Sequence, residues 1–165
     1  ALAEGYLQLT RLYDPDFREH DVTEVVRRAA SSVRAFAREN GLADLRLTTE
    51  TAAGLGARVL DADQMKMALF NLAKNSIEAL REHAVADPAL RIEAASEEGG
   101  LHLTVADNGP GIPTRIAENL FKPFQTQKEG GTGLGLTITK KIVDVHGGQI
   151  RCRTGDTGTS FDIHL

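Results

Sequence analysis

"ALRIEAASEEGGLHLTVAD" (Ala89–Asp107) alternates apolar and polar residues on both sides of a Glu97-Glu98-Gly99-Gly100 break. Two period-two runs joined by a glycine turn read as an antiparallel hairpin with one buried and one solvated face. Outward from it, "LRLTTETA" (Leu45–Ala52) and "RVL" (Arg58–Leu60) have strand character, and "QIRCRTGDTGTSFDIHL" (Gln149–Leu165) closes the chain as a second hairpin. Helical periodicity separates these runs. Val22, Val25, Val26, Ala29, Val33, Phe36 and Ala37 mark one helix, opened by an Asp21/Glu24 capping box and ending at Gly41. Asp61 and Gln64 open a second that runs to about Arg81, and Leu134, Ile138, Ile142 and Val145 mark a third that ends at His146-Gly147-Gly148. Three helices and about five strands, mostly in hairpins, specify a helix layer on a mixed sheet.

Composition narrows the function. The 165 residues suit one domain with a real core, and 41% hydrophobic with 25% charged residues is ordinary for a globular chain. A formal charge of −4 provides no global attraction to nucleic acid, and the lone Cys152 excludes a disulfide framework or a cysteine-based metal centre. No apolar run approaches the roughly 20 residues that span a bilayer.

Three stretches carry candidate chemistry. In "NLAKNSIEAL" (Asn71–Leu80), Met65, Ala68, Leu69, Leu72, Ser76 and Leu80 form the core arc, while Asn71, Asn75 and Glu78 form a polar arc beside it. Taken alone, such an asparagine pair reads as the rim of an amphipathic helix. The Asn75 amide oxygen also suits a hard cation such as Mg²⁺. "ADNGPGIP" (Ala106–Pro113) sets Asp107 at a strand end with Gly109 and Gly111 in the turn beyond; this serves a plain turn or a base-binding carboxylate with close backbone approach. "FQTQKEGGTGLGLTITKK" (Phe124–Lys141) fits neither the Walker A nor the dinucleotide fingerprint, yet glycines opening a helix suit phosphate. Between Gly109 and Gly133 only a short helix near Thr114–Leu120 is expected, in a stretch that reads as a lid or a connection. Phe121, Phe124 and Lys128 lie there, either as a lid anchor with a phosphate contact or as packing residues with a solvated lysine.

The order of these motifs, an N…N helix, "DNGPGI", "F-x-P-F", "GTGLGL" and "GTSF", resembles the ATP-binding catalytic domain of bacterial sensor histidine kinases of the nitrogen-regulation type. These kinases belong to the GHKL superfamily. The resemblance covers Asp21–Leu165 and implies a Bergerat-type two-layer α/β sandwich, a mostly antiparallel sheet under three helices, with an ATP lid. It implies that Asp107 receives the adenine amine, with Gly109, Gly111, Ile112 and Thr159 around the base. Asn75 would hold Mg²⁺, Asn71 would lie near the phosphates, and Lys74 and Lys128 would contact them. Gly131, Thr132, Gly133, Leu134, Gly135 and Leu136 would close over the triphosphate, with Phe121 and Phe124 anchoring the lid.

Superfamily hydrolases carry a glutamate one turn before the metal asparagine. Asn71 stands there instead, and an amide is no general base, so transfer is expected over hydrolysis, with Glu78 the conceivable base for any hydrolysis. His20, His83, His102, His146 and His164 all lack the phosphoacceptor context. Residues 1–17 are expected to be the tail of a dimerising phosphoacceptor hairpin and residues 18–165 the catalytic domain. The expected partners are that hairpin and, through it, a response regulator; the fragment is expected to be monomeric, its parent a homodimer. The expected location is the cytoplasm, with membrane anchoring of the parent open. The rivals are a stand-alone GHKL-type ATPase and a nucleotide-free interaction module.

Overall fold

The computed structural model describes residues 14–97, 99–117, 119–122 and 133–165. Each long helix begins or ends at a feature that its sequence supplies. In α1 (Val22–Glu39) the Asp21 side chain accepts from the Thr23 N–H. The reciprocal half of the expected capping box is absent, because Glu24 turns to Arg27 at 2.6 Å instead of back to the chain. In α2 (Ala62–Glu82) Asp61 Oδ1 accepts from the N–H groups of Asp63 and Gln64, while Oδ2 accepts from Asp16 N–H at 3.0 Å. Here too the box is half made. The Asp61 N–H donates to His146 Nε2 at 3.0 Å, and Gln64 Oε1 is buried with no hydrogen-bond partner among the described residues. His146 Nδ1 faces the Ile142 carbonyl at 2.8 Å, which fixes Nε2 as the acceptor.

Five strands form the main sheet in the order β2-β4-β5-β7-β6, comprising β2 (Arg46–Thr51), β4 (Ala89–Glu97), β5 (Gly100–Asp107), β6 (Gln149–Gly155) and β7 (Gly158–His164). Only β2 and β4 pair in parallel, joined through α2; the other pairs are antiparallel. The mixed, mostly antiparallel five-stranded sheet is the one the sequence predicts. A second, two-stranded sheet pairs β1 (Arg18–Asp21) with β3 (Ala57–Leu60). The polar "REHD" of β1 has no apolar alternation, so that strand is invisible to periodicity. A one-turn helix, α3 (Thr114–Ala117), lies within the expected short helix, and α4 (Gly135–Val145) is the third long one.

One face of the sheet is covered. α1 packs on β2 and β4, α2 on β4 and β5, and α4 on β6, with α2 between the other two helices. That central position widens its buried arc beyond the expected residues to Ala73 and Ile77, both 0% exposed. On α4 the buried residue is Val143 rather than the expected Val145. Leu69, Leu72, Leu80, Ile92, Leu103 and Ile163 fill the interlayer core, each worth roughly 1.5–3 kcal/mol when fully buried. The opposite face of the sheet is polar, and carries Arg91, Glu93, His102, Thr104, Asp162 and His164. Among the described residues no helix is long and apolar enough to cross a membrane.

The Asp61 carboxylate accepts three described N–H bonds, from Asp16, Asp63 and Gln64, so Asp61→Ala should cost more than Asp21→Ala, whose carboxylate accepts one described bond from Thr23. The expected loss at Asp61 is about 1–2 kcal/mol, a Tm drop of roughly 2–8 °C by thermal denaturation. Equal effects at the two caps would contradict this assignment.

Candidate functional site

The end of β5 delivers Asp107 into the layer between sheet and helices, where its carboxylate is held from three sides. Ser76 of α2 donates to Oδ2 at 2.5 Å, and the N–H groups of Gly109 and Thr159 donate to Oδ1 at 2.9 and 3.3 Å. The β5–β7 register sets Asp107 opposite Thr159, which explains the last contact. A carboxylate has about four acceptor positions. The three described donors therefore leave Oδ2 able to accept one more.

Around this anchor the turn and the second hairpin interlock. Ile112 N–H donates to Thr154 Oγ1 at 2.6 Å, and Thr154 Oγ1 lies 3.3 Å from Thr159 Oγ1. Gly111 has φ +76°, and a Cβ there would stand 2.1 Å from the Gly155 carbonyl oxygen. At Gly158 a Cβ would stand 1.9 Å from the carbonyl oxygen of Asp107 itself. Backbone approaches this close require glycine at both places.

The helical wall is supplied by α2. Asn71 Nδ2 donates to the Gly135 carbonyl at 3.4 Å, joining the predicted polar arc to the start of α4. Among the described residues no side chain caps α4, whose N-cap is Leu134 and whose first turn carries no acidic residue. Such a helix start favours an anion. Thr137 Oγ1 donates to the Phe121 carbonyl at 3.4 Å, and the Phe121 ring meets Phe161 of β7 edge-on at 6.4 Å, so Phe121 is fastened to the core.

The sequence-predicted residues divide into groups. Asp107, Gly109, Gly111, Ile112 and Thr159 come together; Asn71, Leu134 and Gly135 meet where α2 adjoins α4, with Gly133 and Leu136 flanking them in sequence. Asn75 is half-buried one turn along from Asn71. Lys74 lies on the α1 side, 3.8 Å from Glu78 Oε1 and with its ammonium 5.8 Å from the Phe36 ring centroid. Phe124, Lys128, Gly131 and Thr132 lie outside the described residues. Two participants were missed. Ser76 reads as a core position, and the signal was a hydroxyl on an otherwise apolar arc directly after Asn75; Thr154 had only its place opposite Thr159 in the closing hairpin.

The model of the family described as "Histidine kinase-, DNA gyrase B-, and HSP90-like ATPase" matches residues 60–165. The chain belongs to this family. It is the ATP-binding catalytic domain found in two-component sensor histidine kinases. The C4-dicarboxylate transport sensor protein DctB of Rhizobium meliloti is 40% identical over 143 residues, which is 86% of this chain and 22% of that protein. The sensory histidine kinase/phosphatase NtrB of Rhizobium leguminosarum is 33% identical over 156 residues, 87% of this chain and 39% of the relative. This chain therefore spans well under half of either. Among solved structures, the catalytic domain of histidine kinase ThkA in a nucleotide-free form superposes with TM-score 0.77 at 30% identity, over 91% of this chain and 95% of that one.

Cys152 reports on the site's charge. Burial, and then the carboxylates of Asp107 and Asp162, push its thiol up to about 11. At pH 8 its thiolate fraction is then about one in a thousand, against roughly one in four for a thiol of pKa about 8.5. Native-state alkylation by iodoacetamide at pH 8 should be at least about 100-fold slower than in urea, and should rise tenfold per pH unit toward pH 11. Asp107→Asn should speed it. Equal native and unfolded rates at pH 8 would contradict the burial of this thiol beside the two carboxylates.

Proposed function

We propose that this domain binds ATP with Mg²⁺ between α2, the Asp107 end of the sheet and the start of α4, and donates the γ-phosphoryl group to a histidine outside residues 1–165. The carrying observation is the Asp107 carboxylate, fixed by three donors and left with acceptor capacity that suits the adenine amine. Gly109, Gly111, Ile112 and Thr159 form the base pocket in this reading. Asn75 offers Mg²⁺ an amide oxygen, a hard ligand of the kind this ion takes alongside phosphates and water. Bound ATP supplies the phosphoryl group. Asn71, Lys128 and the box Gly131–Leu136 hold and shield the phosphates, with Lys74 reaching them by leaving Glu78 and the Phe36 ring, while Phe121 and Phe124 anchor the lid.

The chemistry asked of the protein is positioning and charge stabilisation, since the acceptor imidazole is itself the nucleophile. Asn71 lacks the basicity to activate water, which favours transfer. Glu78, beside Lys74 on the same arc, is the residue through which any slow hydrolysis would run. Residues 1–17 act as the end of a phosphoacceptor hairpin that dimerises the parent and passes phosphate to a response regulator. Asp16 and Phe17 already lean on the catalytic domain, through Asp61 and through the His146 ring at 5.0 Å. The domain works on the cytoplasmic side, whether or not its parent is anchored in a membrane.

Mixing the chain with the parent's hairpin domain, ATP and Mg²⁺ should give acid-labile phosphohistidine on the hairpin. Asp107→Ala should weaken binding of a fluorescent ATP analogue at least about tenfold, the loss expected for a hydrogen bond to a half-buried carboxylate, with circular dichroism confirming the fold. No phosphohistidine despite ATP binding would overturn the transfer assignment. Unchanged affinity in a folded variant would overturn the adenine assignment.

A further inference from the structure

On the polar face of the sheet, Glu97, His102 and His164 each offer one ligand atom, and these atoms lie within 4.8 Å of one another. We propose that this cluster is a binding site for a borderline transition-metal dication of the Zn²⁺ class. Glu97 Oε2 lies 3.5 Å from His102 Nδ1 and 3.7 Å from His164 Nδ1. Ligands on a tetrahedral metal with bonds of about 2.0–2.1 Å stand about 3.3–3.4 Å apart, so the two distances to Glu97 are already near that spacing. Two imidazoles and one carboxylate, completed by water, suit Zn²⁺, Co²⁺ or Ni²⁺ better than Mg²⁺.

The second shell points the same way. His102 Nε2 faces Asp162 Oδ1 at 3.3 Å, and Asp162, with its side chain only 4% exposed, is fixed by Arg153 at 2.8 and 3.0 Å and by Thr104 at 3.2 Å. In the tautomer that points its N–H at this carboxylate from Nε2, His102 turns the Nδ1 lone pair toward Glu97. A carboxylate behind a ligating histidine is the usual way proteins orient that ligand. A lone pair and a carboxylate oxygen then face each other, and a cation between them converts repulsion into two bonds. The His102 and His164 rings are stacked at 4.3 Å and inclined by only 9°. Parallel rings cannot aim both lone pairs at one ion, so binding requires the half-exposed His164 ring to turn about its soft terminal torsion. The half-buried His102 stays in place.

The site is independent of the nucleotide. His102 and Asp107 lie five residues apart on β5, about 16 Å, and on opposite faces of the sheet. A metal here would clip the start of β5 to the ends of β4 and β7.

Titrating the tag-free, chelator-treated chain with ZnCl₂ by calorimetry should reveal one saturable site. Glu97→Gln and His164→Ala should each weaken it at least tenfold, and Cys152→Ser should leave it unchanged. In ¹⁵N spectra of the unmutated chain, the Nδ1 resonances of His102 and His164 should shift together on Zn²⁺ addition; this readout needs no variant to fold. Absence of saturable binding, binding that survives both ligand variants, loss with Cys152→Ser, or shifts confined to His20, His83 or His146 would overturn the proposal.

Discussion

The carboxylate of Asp107 is half-buried at the end of β5, and the local structure is arranged to meet its demand for donors. Leaving such a group unsatisfied costs several kcal/mol, so three separate elements converge on it: α2 through Ser76, the following turn through Gly109, and β7 through Thr159. The register of β7 on β5 sets Thr159 opposite Asp107 and so supplies one of these donors, while α2 meets the carboxylate through Ser76. It also accounts for the close packing of Gly158 on the Asp107 carbonyl, since the strand must approach near enough for the Thr159 N–H to reach. The same geometry that satisfies the carboxylate leaves it one acceptor position short of full, which is what a binding group needs.

A second anchor operates at the far end of α2. Asp61 caps the helix, receives the Asp16 N–H, and has its own N–H taken by His146 at the end of α4. The two buffers of charge and dipole, Asp61 and Asp107, thus lie near opposite ends of the same central helix. Between them Asn71 reaches the first residue of α4, so the helix that begins at the glycine box is tied to α2 at both ends.

The main architecture was legible because each long element carries a strong period: the hairpin of β4 and β5, the helical faces of α1, α2 and α4, and the glycine turns between them. What escaped has a physical reason. β1 pairs through its backbone with a polar sequence, so no burial pattern marks it. Neither capping box closes, because Glu24 finds Arg27 and His146 displaces Gln64, and both competitors are set by neighbours rather than by the S/T/D-x-x-E/Q spacing. Of the candidate site, Asp107, Gly109, Gly111 and Ile112 stand out only through the order of motifs around them, since aspartate and glycine at a strand end serve a plain turn equally well. Ser76 and Thr154 do not, because a single hydroxyl at a core position becomes informative only when its partner is known.

The central claim is that Asp107 recognises the exocyclic amine of adenine. Inosine triphosphate has the same phosphates and sugar but carries a carbonyl oxygen where ATP carries the amine, setting two acceptors face to face. Competing each nucleotide against a fluorescent ATP analogue on the folded chain, with Mg²⁺, measures that contact without mutating the protein. Inosine triphosphate is expected to bind at least about tenfold more weakly than ATP, as loss of a hydrogen bond to a half-buried carboxylate implies. Equal affinities would contradict it.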